Sequence, residues 1–239
     1  MTRSKFLNIM PDHSVDVELV TFINKELHVL VTKRANSLED PHPNAWGLAG
    51  VYLNTSIDSS YLDAAFRALS QKAHLSQIPH LEQLQSFGDN HRDKRHWTGT
   101  LVYIGYVAAE DIELTSEDVK WLPISQLDSV ESWAFDHKYI IDYAITKVKE
   151  QAQYNTNIIK MLGNEFTQPQ LQELYEIVLE EKLDKSSFRK QVRESQLLTE
   201  IEGKKIKPLK GAPAQCYRIS NSFNGFFFPR SISKKNKNS

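Results

Sequence analysis

Two short runs with strand character open the chain, Val17 to Ile23 and Leu27 to Thr32, and the turn residues Asn24-Lys25 between them predict a hairpin. A polar loop, ANSLEDPHPNAW, follows, and GLAGVYL returns to strand character. Ser60 to Leu75 has helical spacing, with Ser60 and Asp63 placed as a capping box and Leu62, Phe66 and Leu69 marking one buried face. Further strands are predicted at Leu84 to Phe87, at Thr100 to Val107 and near Trp121, and a second helix from about Asp136 to Val148. Strands interrupted by one helix and closed by another read as α+β rather than as a doubly wound sheet. No internal repeat is visible.

From about Asn155 to Ser220 the pattern changes to helix-helix-helix-hairpin, the order of a winged helix. Thr156 to Leu162 predicts a short first helix ending at Gly163. Thr167, Pro169 and Gln170 then supply an N-cap, a first-turn proline and an N3 glutamine. Leu171, Leu174, Tyr175, Val178 and Leu179 fall on one apolar stripe. Asp184 opens a third helix, in which Phe188 and Val192 face inward and Lys185, Ser186, Arg189, Lys190 and Arg193 face outward. A loop holding Gly203, Gly211 and four lysines is predicted between Leu197-Leu198 and the strand Cys216 to Ile219.

Composition bounds the class. The chain has 239 residues, 40% hydrophobic and 25% charged, so disorder, collagen and low complexity are excluded and two domains are expected. Mean hydropathy is −0.47, and no apolar run nears the roughly 20 residues of a membrane-spanning helix. The start, MTRSKFLNIMPDHS, lacks an apolar signal region. The single cysteine, Cys216, is expected as a small buried hydrophobe. A cytoplasmic location with no membrane contact is the expectation.

Charge then separates the two parts. Residues 151–239 carry fifteen Lys or Arg and nine Asp or Glu, a net +6, whereas 1–150 carry −7. No acidic residue follows Glu202. A basic half suits a polyanion partner, although a solvated basic tail at Lys234 to Lys237 fits the same count. The domains expected are 1–150, 151–225 and a basic tail at 226–239. The outward face of the third helix would carry Lys185, Ser186 and Arg189 to base edges in a major groove while hairpin lysines meet phosphates. A small protein-interaction domain with a solvated basic face is the competing reading. In the acidic half, Arg92, Lys94, Arg95 and His96 form a local basic cluster suited to a diphosphate. Phe87, Trp97, Trp133 and Phe135 are candidates to stack on adenine.

The first part resembles the Nudix superfamily. Trp46-Gly47-Leu48-Ala49-Gly50-Val51 resembles that family's W-x-L-P-G-G lead-in, and Arg67 and Leu69 match its helix. Ala68, Gln71 and Lys72 stand where the three helix carboxylates belong, His74 replaces the glycine, and Asp58 or Ser59 is nearest the upstream glutamate. Nudix hydrolases hold Mg²⁺ on those carboxylates, since hard cations need anionic oxygens, and use it to activate water. Alanine, glutamine and lysine cannot do this, so no catalytic residue, no metal and no cofactor are expected, and the chain should not be an enzyme. Phe87-Gly88-Asp89-Asn90-His91-Arg92-Asp93-Lys94-Arg95 and Ala134-Phe135-Asp136-His137 resemble segments of Nudix proteins that recognise ADP-ribose.

The two parts together resemble the Nudix-related transcriptional regulators of bacterial NAD metabolism. Phe166 to Tyr175 (FTQPQLQELY), Leu183 to Arg189 (LDKSSFR) and Gly211 to Arg218 (GAPAQCYR) resemble F-T-x-x-x-L-Q-x-L-Y, L-D-x-x-N-F-R and G-R-P-A-x-x-Y-R, with Ser187 and Ala212 as departures. The likeness spans roughly residues 14–220 and implies an α+β fold, a Nudix-like α/β/α sandwich with a mixed sheet followed by a winged helix-turn-helix domain. It implies a homodimeric repressor on a pseudo-palindromic double-stranded operator, with ADP-ribose or a related NAD metabolite as effector. The implied ligand site is Arg34, Trp46, Gly50, Phe87, Arg92, Asp93, Arg95, Phe135 and His137. DNA would meet Lys185, Ser186, Ser187, Arg189, Lys190 and Arg193 with Lys204, Lys205, Lys207 and Lys210. The alternative is a Nudix-type ADP-ribose or nucleotide-sugar pyrophosphatase whose metal site is rebuilt from Asp58, Asp63, Asp89 and Asp93.

Overall fold

The structure, a computed structural model, describes residues 11–75, 80–207 and 212–220. The opening hairpin is β1 (Asp12–Ile23) and β2 (Glu26–Lys33). Its turn residues Asn24 and Lys25 have φ of 50° and 67°, the left-handed pair that a two-residue hairpin turn needs to match strand twist. Val15, Val17, Leu19, Val20, Val29 and Val31 are all at 1% exposure or less, so both strands are covered on both faces. Two acids, Asp16 and Glu18, are buried in β1 as well.

Around this hairpin a seven-stranded sheet forms. Its other strands are β3 (Trp46–Gly47), β4 (Ala49–Tyr52), β5 (Leu81–Asp89), β6 (Thr98–Tyr106) and β7 (Val119–Pro123). The order is β3-β2-β1-β6-β5, with β4 on β1 and β7 on β2. A parallel bridge joins Trp46 to Trp133, in the approach to the second helix.

Helix α1 (Tyr61–Ala73) packs against β4. Ser60 caps it by accepting the Asp63 N–H at 3.1 Å, and His74 ends it in the left-handed conformation at φ 57°. Its buried face differs from the one expected. Ala64, Ala65, Ala68, Leu69 and Ala73 are buried, whereas Leu62 and Phe66 are only half-buried. The alanines bring the helix axis close to the sheet and leave the larger side chains at the flanks. Helix α2 (His137–Ala152) buries Ile140, Ile141, Ala144, Val148 and Ala152.

The winged-helix segment follows. The short first helix expected over Thr156 to Leu162 is a 3₁₀ helix (Asn157–Leu162) ending at Gly163, and β8 (Phe166–Thr167) leads into α3 (Gln168–Leu179). The Thr167 hydroxyl accepts the Gln170 N–H, and the Gln170 side chain accepts the Thr167 N–H at 2.8 Å, a reciprocal capping box. The predicted stripe from Leu171 to Leu179 is buried. Helix α4 (Lys185–Glu194) begins at Asp184, whose carboxylate accepts the Ser187 N–H, and it buries Phe188 and Val192. Tyr175 and Phe188 meet with ring centroids 5.5 Å apart, and Cys216 is fully buried.

Two further strands, β9 (Leu198–Ile206) and β10 (Ala214–Ile219), join β8 in a sheet of order β8-β10-β9. Much of the expected loop is therefore strand. An irregularity in the β9–β10 register accommodates Gly203 at φ 70°, and the Gln215 amide holds it by donating to the carbonyls of Ile201 and Lys204.

By compactness the described residues form two units that interleave along the sequence. The first takes 11–20, 29–105 and 113–144, and the second takes 21–28, 106–112 and 145–220. Among the described residues no helix is long and apolar enough to cross a membrane.

Candidate functional site

The first unit contains a cavity of about 810 Å³. Strand β1 supplies Ser14 and Asp16 to its wall, β4 and the following loop supply Gly50 to Thr55, and α1 supplies Arg67, Gln71 and Lys72. Arg34, Asp40, Arg92, Asp93, Arg95, Phe135 and His137 also line it, with Glu39 at the rim.

Ion pairs organise this wall. Arg92 is buried at 9% exposure, with Nη2 2.7 Å from Asp16 and Nε 2.9 Å from Asp136. Asp89 shapes the loop that delivers Arg92 by accepting the N–H groups of His91 and Arg92. Arg95 clasps Asp93 through Nε at 3.0 Å and Nη2 at 2.7 Å, which holds the Asp93 carboxyl well below the usual carboxylate range. Arg95 also reaches the Tyr52 hydroxyl at 3.1 Å. Arg67 grips Asp58 as a fork at 2.8 and 2.6 Å and lowers that carboxyl in turn.

His137 is buried against the same network. Its Nδ1 accepts the Leu48 N–H at 2.9 Å, while Nε2 lies 3.6 Å from Asp16. Burial lowers its pKa, so the ring is neutral with Nδ1 as acceptor and its proton on Nε2. Gly47 makes room for it, since a Cβ there would stand 2.4 Å from Nδ1. Phe135 holds a left-handed backbone at φ 46°, uncommon for an aromatic residue and a mark of a constrained site. The guanidinium carbons of Arg34 and Arg92 stand 5.1 and 5.8 Å from its ring centroid, and His42 meets it edge-on at 4.5 Å.

Seven of the nine expected ligand residues therefore line one cavity: Arg34, Gly50, Arg92, Asp93, Arg95, Phe135 and His137. Trp46 and Phe87 do not. Trp46 lines a separate depression beneath the Lys120 ammonium, 4.0 Å from its ring centroid. Phe87 packs edge-on against Tyr139 and Tyr143. Of the other aromatic candidates, Trp97 lies over the paired glycines Gly88 and Gly99, and Trp133 donates to the Leu127 carbonyl. From the basic cluster, His96 pairs with Asp12 at 2.7 Å, and neither His96 nor Lys94 lines the cavity. Sequence reasoning missed Ser14, Asp16 and Tyr52. For Asp16 a signal existed, an acid set between the valines Val15 and Val17.

The residues present do not suit a divalent cation. Ala68 is buried, and α1 turns Gln71 and Lys72 to the cavity. Asp58 and Asp93 are each committed to an arginine, and Asp89 to backbone N–H groups. Asp63 is exposed and outside the lining. Among the described residues no group of three His, Cys, Asp or Glu side chains is placed to hold a metal.

In the second unit, Lys185, Ser186, Ser187, Arg189, Lys190 and Arg193 are all exposed, opposite the buried Phe188 and Val192. Lys204, Lys205 and Lys207 are exposed on β9 and just beyond it. Lys204 pairs with Glu165 and Lys190 stands 3.8 Å from Glu194. Lys210 and the 226–239 tail lie outside the described residues.

Comparison with known proteins gives consistent relatives. Residues 158–219 match the NrtR DNA-binding winged helix domain. The ADPR responsive transcriptional repressor NtrR of Acinetobacter baylyi is 30% identical over 225 residues, covering 93% of this chain and 87% of that protein. Shewanella oneidensis NrtR, crystallised with a 27mer DNA, superposes with a TM-score of 0.83 at 30% identity over 92% of this chain and 99% of that one. The Nudix domain of the same Shewanella protein, crystallised with ADP-ribose, matches with a TM-score of 0.51 at 30% identity over 62% of this chain and 99% of that one.

Proposed function

This chain belongs to the NrtR family of transcriptional regulators, and on that premise we propose that it represses genes of NAD metabolism, with ADP-ribose or a related NAD metabolite as the signal that releases it from DNA. The observation that carries the DNA-binding half is the face of α4. Its first two turns expose Lys185, Ser186, Ser187, Arg189 and Lys190, while Phe188 fixes the helix to the core. That is the arrangement of a recognition helix, whose N-terminal residues reach base edges while lysines of the hairpin meet phosphates. Two copies of the chain, working in the cytoplasm, would place two such helices on a pseudo-palindromic operator.

The cavity of the first unit is the site for the metabolite. Arg34 and Arg92 flank the Phe135 ring, and Arg95 and Lys72 add cationic donors. Phe135 is an aromatic residue of this wall suited to stack on a planar base. Release is a matter of linkage: a ligand that prefers a geometry with misplaced recognition helices weakens operator affinity by the coupling free energy, typically about 1–3 kcal/mol. The Nudix-like unit binds without cleaving. Ala68, Gln71 and Lys72 provide no anionic oxygen for Mg²⁺, so no water is activated at the diphosphate.

The test is fluorescence anisotropy on DNA from upstream of the chain's own gene and of nearby NAD-biosynthesis genes, against scrambled DNA, with and without ADP-ribose. Specific binding tighter than about 10⁻⁸ M that ADP-ribose reverses is the expected result. Equal, weak, salt-sensitive binding to both DNAs would defeat it. Incubation with ADP-ribose and Mg²⁺ should release no AMP, and release would favour the pyrophosphatase alternative.

A further inference from the structure

The arginines around the cavity are each matched by at least one carboxylate. Arg34 is held by Asp40 at 2.8 Å, Arg67 by Asp58 at 2.6 Å and Arg95 by Asp93 at 2.7 Å. Arg92 faces two carboxylates, Asp16 and Asp136. Each guanidinium thus brings directed N–H donors but little net charge. The second carboxylate on Arg92, together with Glu39 at the rim, tips this set towards negative.

Lys72 is different. It stands in the last turn of α1, exposed, and makes no ion pair among the described residues. It lines the main cavity and also an adjoining recess of about 130 Å³ that reaches Gly47 and His137. The main-cavity wall therefore has one uncommitted cation among the described residues. A diphosphate entering a concave site whose other charges cancel or repel it needs such a charge, and an ammonium with three freely rotating donors suits phosphate oxygens.

We propose that Lys72 is the cation that holds the diphosphate of the ligand, so that the cavity binds its nucleotide without any divalent ion. This rests on the reading of the cavity as the metabolite site. A tethered ammonium delivers one positive charge at a fixed place, and a divalent ion brought beside it is repelled. Mg²⁺ should therefore leave binding unchanged or weaken it.

The experiment is calorimetric titration of the full chain with ADP-ribose, in EDTA and in millimolar MgCl₂, over a range of salt. The wild type is expected to bind equally well in EDTA. Lys72→Ala should lose about tenfold or more in affinity at low salt, with the gap closing as salt rises, because the lost interaction is between charges. Lys72→Arg should retain most of the affinity, and melting temperatures of both variants should stay near the wild type because the side chain is exposed. Four results would overturn the proposal while leaving the metabolite-site reading standing. These are wild-type binding that requires Mg²⁺, a Lys72→Ala variant that binds as tightly as wild type, a deficit that is the same at every salt concentration, or no rescue by arginine. Absence of any wild-type binding to ADP-ribose would instead overturn both.

Discussion

Gly50 and Asp16 are cross-strand partners on β4 and β1, and a methyl group at position 50 would stand 1.9 Å from the Asp16 carboxylate oxygen Oδ1. The glycine is therefore the space into which Asp16 folds, and Asp16 in turn holds Arg92 at 2.7 Å. Gly50→Ala should push Asp16 off Arg92 and cost about 1–3 kcal/mol by overpacking. ADP-ribose binding should fall with it, since Arg92 and Phe135 share that wall. Thermal melting with a ligand titration checks both, and a variant that melts and binds like the wild type would refute the linkage.

Glu18 lies two residues further along the same face of β1. It is fully buried, and neither carboxylate oxygen has a hydrogen-bond partner among the described residues. Burial, with Asp142 adding repulsion, raises its pKa well above the ordinary value of 4.5. In the unfolded chain the group ionises near 4.5 while the folded protein keeps its proton to higher pH. The unfolded state thus loses the proton first, and stability falls as pH rises from about 4.5 through the folded pKa. Glu18→Gln removes that slope. The variant should be more stable than wild type at pH 8, with the advantage vanishing towards pH 4. Melting temperatures across pH decide it, and a difference that does not vary with pH would count against a buried neutral acid.

Arg189 and Lys205 test the proposed division between base reading and phosphate contact. Both are exposed, Arg189 on α4 and Lys205 on β9. Arg189→Ala should cost about 1–3 kcal/mol on the operator and flatten the preference at one base position. Lys205→Ala should weaken operator and scrambled DNA alike and lower the salt slope by about one. Titrations of each variant on both DNAs at several salt concentrations distinguish the roles. A uniform loss for Arg189→Ala would reassign it to the phosphates.

How much of this was legible in the sequence depends on range. The Asn24-Lys25 turn, the Thr167-Pro169-Gln170 helix start and the Asp184 cap are encoded within four residues, and each forms where the sequence predicts it. The buried face of α1 was not, because Leu62 and Phe66 make a good helical stripe while the sheet accepts only the alanine face. The ion pairs that build the cavity are longer in range still. Arg92 and Asp16 are 76 residues apart, and spacing carries no trace of their contact. Trp46 and Phe87 sit in motifs whose neighbours do line the cavity. Local motif position says little about which way each ring packs, and Trp46 lies under Lys120 while Phe87 packs on Tyr139 and Tyr143.

Asp184 caps the helix that carries the proposed DNA-reading face. Its carboxylate accepts the Ser187 N–H at 2.9 Å and the Ser186 hydroxyl at 2.6 Å, and so anchors the turn that carries the first of the residues proposed to meet DNA. Asp184→Ala removes the cap, worth about 0.5–2 kcal/mol, and frays that turn. It also removes a negative charge, which on its own would strengthen attraction to DNA at the proposed interface. Asp184→Ser removes the same charge but keeps a capping oxygen, so comparing the two variants isolates the cap. The serine variant should bind the operator at least as tightly as wild type. The alanine variant should bind it more weakly than the serine variant while matching it on scrambled DNA, because disorder in the turn costs base contacts and leaves the overall charge the same. If alanine and serine behave alike on both DNAs, the first turn of α4 is not held by its cap, and the helix owes its position to Phe188 and Val192 instead.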